Sequence, residues 1–225
     1  CLYQQGEHVG AVAYLTECID DRPGFVWTYL ARAVAYAGLQ DFDLAYDDLD
    51  TAESIEPDLF AIGVNRGGLF LKQGRLKEAV EQFERSAALE ESRFEPWLNL
   101  GETRRRMAIA AQKHGAATAE VTSLIRSASQ ALEKAVQHAG GSRAHRVLGD
   151  VQRRMGNLQL ALDQYRLAAQ LERDDRLRAD DIREAGSIFF EAKQFDAAHQ
   201  QYTVAVGLAP DNGDLQQLLG ECLIE

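Results

Sequence analysis

Ala45, Leu49, Ala52 and Pro57 are spaced four, three and five residues apart, and that spacing recurs down the chain. Ala11, Leu15, Cys18 and Pro23 match it fully, as do Ala198, Tyr202, Ala205 and Pro210. Three further copies keep most of it: Ala79, Phe83 and Ser86 with Glu91 in the proline place, Ala128, Leu132 and Ala135 with Gly140, and Ala161, Tyr165 and Ala168 with Arg173. The leading alanines stand 34, 34, 49, 33 and 37 residues apart, so a 34-residue period holds, with about 15 residues added mid-chain and a smaller addition before Ala198. A fixed period of this length is the mark of a repeat architecture, and it restricts the possible folds more than any single motif.

A second pattern precedes the first in most copies. A small residue is followed three later by an aromatic one: Ala33 and Tyr36, Gly67 and Phe70, Gly186 and Phe189, while Leu100-Gly101 and Leu148-Gly149 are followed instead by Arg104 and Gln152. Apolar positions three and four apart form one stripe of an α-helix, so each unit reads as two antiparallel helices. Pro57 and Pro210 stop the second helix, because proline cannot continue it. Glycine in Gln-Gly-Glu (5–7), Gln-Gly-Arg (73–75) and Met-Gly-Asn (155–157) falls where the first helix ends and a left-handed residue is needed. One hairpin cannot bury its own apolar face, so the copies must stack. The expected architecture is all-α, a right-handed α-solenoid of stacked antiparallel helix pairs with one extended repeat. Its boundaries fall at a partial repeat 1–23, repeats 24–57 and 58–91, an extended repeat 92–141, repeats 142–175 and 176–212, and a terminal helix 213–225. The proline-free stretch through the insertion predicts two long helices meeting around His114–Thr118, and Leu215, Leu218, Leu219 and Leu223 are placed to cover the preceding core.

Trp97-x-x-Leu100-Gly101 together with the proline-closed 34-residue units resembles the tetratricopeptide-repeat (TPR) family, and the resemblance covers nearly the whole chain. It implies that the first helices line a concave groove that holds a partner. The groove set is then Trp27, Leu30, Val34 and Ala37, followed by Ala61, Val64, Asn65, Gly68, Leu71 and Lys72. Glu95, Leu98, Asn99, Glu102, Arg105 and Arg106 come next, then Arg143, Arg146, Asp150, Arg153 and Arg154, and last Asp180, Arg183, Glu184, Ser187 and Phe190.

Within that set Asn65 and Asn99 lie 34 residues apart and resemble the asparagines with which TPR peptide receptors hold an extended backbone. An amide suits the task because it both accepts from N–H and donates to C=O, whatever the side chains of the guest. Arg105, Arg106, Arg143, Arg146, Arg153 and Arg154 converge from two adjacent first helices, and arginine is suited to bidentate capture of carboxylate or phosphate. An acidic peptide, a C-terminal carboxylate or a phosphorylated segment is the expected guest. The alternative is internal: arginines favoured by a helix C-terminus or paired with carboxylates of neighbouring repeats. Arg104, in the place of the packed aromatic, reads as structural.

The formal net charge is −11 and the pI about 5.0, which argues against nucleic acid as a partner. The charge is uneven, however, with ten Lys/Arg against five Asp/Glu in residues 94–154 and fourteen against thirty elsewhere. Cys1, Cys18 and Cys222 are odd in number and far apart, and His8, His114, His138, His145 and His199 form no close ligand pair, so neither a disulfide framework nor a metal site is expected. No phosphate loop or nucleophile motif occurs, so neither catalysis nor a cofactor is expected. Without a long apolar run no membrane span is expected, and a reduced, cytoplasmic setting follows from the free thiols. The half-helix start at Cys1–Gln5 favours a truncated end over a lipidated Cys1. Two other readings share the pattern: the regulatory arm of a larger kinase or transferase, and a scaffold that assembles into homo-oligomers.

Overall fold

The computed structural model of the chain describes residues 8–223, so the Cys1–Gln5 segment and the turn at Gln5-Gly6-Glu7 lie outside the described residues. Twelve helices and no strand are present among those described: α1 (His8–Asp21), α2 (Val26–Leu39), α3 (Phe42–Ile55), α4 (Phe60–Lys72), α5 (Leu76–Leu89), α6 (Phe94–Lys113), α7 (Thr118–Gln137), α8 (Gly141–Arg154), α9 (Leu158–Leu171), α10 (Asp175–Glu191), α11 (Phe195–Leu208) and α12 (Gly213–Glu221). The two helices of the extended repeat are 20 residues each and turn between His114 and Ala117. The chain forms two compact units, one ending at Thr103 and the other beginning at Arg104.

Inside each unit the repeat signature is the core. From Ala45 to Ala205, every alanine, bulky and small position of the five copies is no more than 1% exposed. Ala11 is buried too, while Leu15 and Cys18 are half-buried. The bulky residue of a second helix lies against a small residue sixteen positions earlier on the first. A Cβ at Gly67 would fall 2.5 Å from the Phe83 ring, one at Gly149 2.9 Å from Tyr165, and one at Gly186 2.6 Å from Tyr202. Those rings therefore rest on bare backbone where α4 packs on α5, α8 on α9 and α10 on α11. Ser86 takes the small position of its copy without loss, since its hydroxyl donates to the Phe60 carbonyl at 2.9 Å.

Stacking joins the pairs. In the first unit α2 packs on α3, α3 on α4 and α2 on α4, and one cluster runs from Ile19 through Leu49 to Leu69. Arg32 on α2 is sandwiched between Tyr29 and Tyr36 and makes two bonds to the buried Asp48 of α3, at 2.9 and 2.7 Å, and a third to Thr16 of α1. In the second unit α9 packs on α10 and α11 on α12. Leu215 seals the core of Ala179 and Ala205, and Leu218 and Leu219 pack on Tyr202. Leu223, expected beside them, stays exposed.

The first helices end on left-handed residues. Gly74 and Gly156 take φ of +73° and +79° where the sequence places them, but the same role falls to Gln40 at +67° and Lys193 at +58°. A side chain in that region costs about 1 kcal/mol. Gln40→Gly and Lys193→Gly should each stabilise the chain by up to that amount in urea unfolding. Gly186→Ala should cost about 1–3 kcal/mol by forcing Tyr202 off its seat.

Candidate interaction surfaces

The unit ending at Thr103 leaves an open groove of about 120 Å³ between its first helices α2 and α4. Ala33, Val34 and Ala37 line one side, and Val64, Asn65, Gly68, Leu69 and Lys72 the other. Trp27 and Val34, on the same helix, are 47% and 37% exposed. Both are large apolar side chains left partly open to solvent. Leu30, Ala61 and Leu98, assigned to the groove from sequence, are buried instead, Leu30 and Ala61 within the hydrophobic cluster of the unit.

Asn65 is half-buried at this groove. Its Nδ2 donates to the Ala61 carbonyl of its own helix at 2.8 Å, which leaves Oδ1 to accept from a guest N–H. Asn99, one repeat on, is likewise half-buried. Lys72, in the last turn of α4, is exposed.

The unit beginning at Arg104 presents a different surface. A cleft of about 480 Å³ is lined by Arg105, Arg153 and Arg154, by Asp150, Glu184 and Glu191, and by Leu158 and Tyr165. Two of its three arginines are already paired. Arg153 donates to Glu184 at 2.8 Å and is also bonded to Glu191. Burial opposes the charge on Arg153, but those two carboxylates prevail and raise its pKa. Arg105 lies 3.6 Å from Asp150, whose other oxygen accepts from the Tyr165 hydroxyl at 2.9 Å. Burial and that carboxylate push the Tyr165 phenol well above its ordinary value.

Arg146 stands two turns earlier on α8 and outside this cleft. It forms a two-pronged pair with Asp181 of α10, at 2.5 and 2.9 Å, and reaches Glu172 at 3.2 Å. Asp181 is 0% exposed, and its bonds to Arg146 hold the guanidinium in its charged form. Arg106 and Arg143 are exposed, as is Arg154, which makes no ion pair among the described residues. Arg104 is half-buried, and its guanidinium donates to the Ser127 carbonyl of α7 at 3.4 Å. The six groove arginines thus divide. Arg105, Arg146 and Arg153 each reach a carboxylate on the next first helix, whereas Arg154 makes no ion pair among the described residues.

Sequence reasoning placed Asp150 and Glu184 on this face without pairing them, and missed Asp181, Glu172 and Glu191. Arg146 and Asp181 stand 35 residues apart, about one repeat, but Arg153 and Glu184 are 31 apart and Arg105 and Asp150 are 45 apart, so no fixed spacing marks the pairing. Among the described residues no group of three or more His, Cys, Asp and Glu is placed to hold a metal ion, and no helix is long and apolar enough to cross a membrane.

No protein-family model matches the sequence, and no curated protein does. Solved structures match closely in shape. Pseudomonas aeruginosa PilF superposes with a TM-score of 0.72 at 18% identity over 98% of this chain and 92% of its own. PilW, a type IV pilus biogenesis factor, gives 0.72 at 18% identity over 97% and 93%, and the TPR protein YrrB gives 0.64 at 16% identity over 94% and 98%. The chain has the TPR fold. In it, α2–α3, α4–α5, α8–α9 and α10–α11 are helix pairs of the TPR kind, and the ion pairs of the second unit join successive first helices of that fold.

Removing one member of a buried pair strands the other. Arg146→Met should therefore cost about 3–5 kcal/mol in urea unfolding, with much of the loss recovered in Arg146→Met/Asp181→Leu. Arg153→Met, whose partner Glu191 is exposed, should cost less than about 1 kcal/mol.

Proposed function

We propose that the chain is a non-catalytic interaction module that holds an extended segment of a partner protein on the exposed faces of its first helices. The observation that carries this reading is the α2–α4 groove. Its walls are mostly apolar, Val34 is partly exposed on one of them, and the side chain of Asn65 lines the other with its Nδ2 already bonded to the Ala61 carbonyl. An exposed apolar strip with a polar anchor marks a docking site rather than a solvated face. Asn65 and Asn99 take the backbone of the guest. YrrB, a TPR protein with an unusual peptide-binding site, has the same fold and supports a peptide as the kind of guest.

The second unit, taken by itself, also offers a place to an acidic segment. Arg154 is exposed and makes no ion pair among the described residues, whereas a carboxylate entering at Arg105 or Arg153 must displace Asp150 or Glu184 and Glu191. Arg146 serves the fold, because its partner Asp181 is buried.

Peptide binding by fluorescence anisotropy tests the reading. Asn65→Ala and Asn99→Ala should each weaken binding about fivefold, the value of one hydrogen bond, with circular dichroism unchanged. Arg154→Glu should weaken acidic peptides and flatten their salt dependence. Unchanged affinity in both asparagine variants would contradict the reading.

A further inference from the structure

Three glycines stand in α4, and two are accounted for by packing. A Cβ at Gly63 would fall 2.3 Å from the Ser86 hydroxyl, and one at Gly67 would enter the Phe83 ring. Gly68 differs. A Cβ there meets nothing within 4 Å, and its backbone needs no left-handed angle, since it lies inside an α-helix and not among the positive-φ residues. The other glycines with open space around them stand in turns or in the first or last turn of a helix; Gly68 stands in the body of α4. Glycine there weakens the helix relative to alanine. Neither packing nor backbone geometry of the unit asks for it.

What Gly68 does is line the α2–α4 groove, opposite Val34 and Ala37. Without a Cβ, a guest can lie directly on the α4 backbone, the recurring use of glycine where a ligand approaches closely. One turn further on the same face is Lys72, exposed and without an ion pair among the described residues. Residues four apart on a helix are about 6 Å apart along its axis, and alternate residues of an extended strand are separated by a similar distance. Lysine adds a flexible stem that carries its charge over several ångströms.

Building on the reading of this groove as a peptide site, we propose that Gly68 and Lys72 set its specificity. The guest is an extended segment with an aliphatic side chain seated over Gly68, between Val34 and Val64, and a carboxylate one or two positions away paired with Lys72. The apolar wall selects the first group and the lone cation the second.

Selection of a phage-displayed library of random dodecapeptides on the folded chain tests this. Selected peptides should be enriched in Leu, Ile or Val followed or preceded within two positions by Asp or Glu. For a synthetic peptide from that set, Gly68→Leu should weaken binding at least tenfold and Lys72→Glu about fivefold. The Lys72→Glu loss should vanish when the acidic residue of the peptide is changed to its amide. Gly68→Ala should raise Tm by about 2–4 °C while weakening binding, a combination that a purely structural glycine does not produce. Selected peptides that lack the pair, or that bind Gly68→Leu with wild-type affinity while Asn65→Ala weakens them, overturn this inference alone. A library that yields no binder overturns the peptide-binding reading and this inference with it.

Discussion

The contact on which the rest of the structure depends is a bulky side chain resting on bare backbone. Phe83 on Gly67, Tyr165 on Gly149 and Tyr202 on Gly186 each join the two helices of a pair, with sixteen residues between the partners every time. A glycine inside a helix costs stability, and the ring it admits returns more by burying its whole face. Since the distance between the helices is fixed by this contact, the remaining positions of each pair follow. The alanines around each ring are small because the helices are close, and the stacking surface offered to the next pair is set by where the rings leave off.

With packing settled between the helices of a pair, the exposed faces of the first helices are released from it, and the two units use them differently. In the unit beginning at Arg104, the face is largely given to ion pairs between successive first helices: Arg105 with Asp150, Arg146 with Asp181 and Arg153 with Glu184. The strength of such a pair depends on its exposure, so Arg146 with the fully buried Asp181 contributes to the fold, whereas the others mainly balance charge in an open cleft. In the unit ending at Thr103, the corresponding face is apolar and holds few charges. Its ion pairs lie elsewhere, between first and second helices, as in Arg32 with Asp48 and Arg66 with Glu53. That leaves the α2–α4 groove open.

The helix-pair fold was legible in the sequence because its cause is local and periodic. Ala45, Leu49 and Ala52 are small, large and small in places that only a close-packed pair requires, and their repetition lifts the pattern above chance. Gly74 and Gly156 were legible as helix ends for the same reason, while Gln40 and Lys193 were not, since any residue can be forced into that backbone angle by the packing on either side. The surfaces were harder to read. Arginine on a first helix looks the same in sequence whether it waits for a guest or holds its neighbour, and only the contact with the buried Asp181 separates Arg146 from Arg154. Gly68 was named as part of the groove, but its isolation showed only when Gly63 and Gly67 had been matched to Ser86 and Phe83.

The division of labour between the two faces is the central claim, and a nitrogen-edited NMR titration of the chain with a selected peptide tests it most directly. The amide signals of Val34, Asn65, Gly68 and Lys72 should shift most, in fast or intermediate exchange, with those of Arg146, Asp181 and Ser142 unmoved. If instead the largest shifts fall on α8 and α10 while α2 and α4 stay still, the guest binds the arginine face, and the assignment of the α2–α4 groove is wrong.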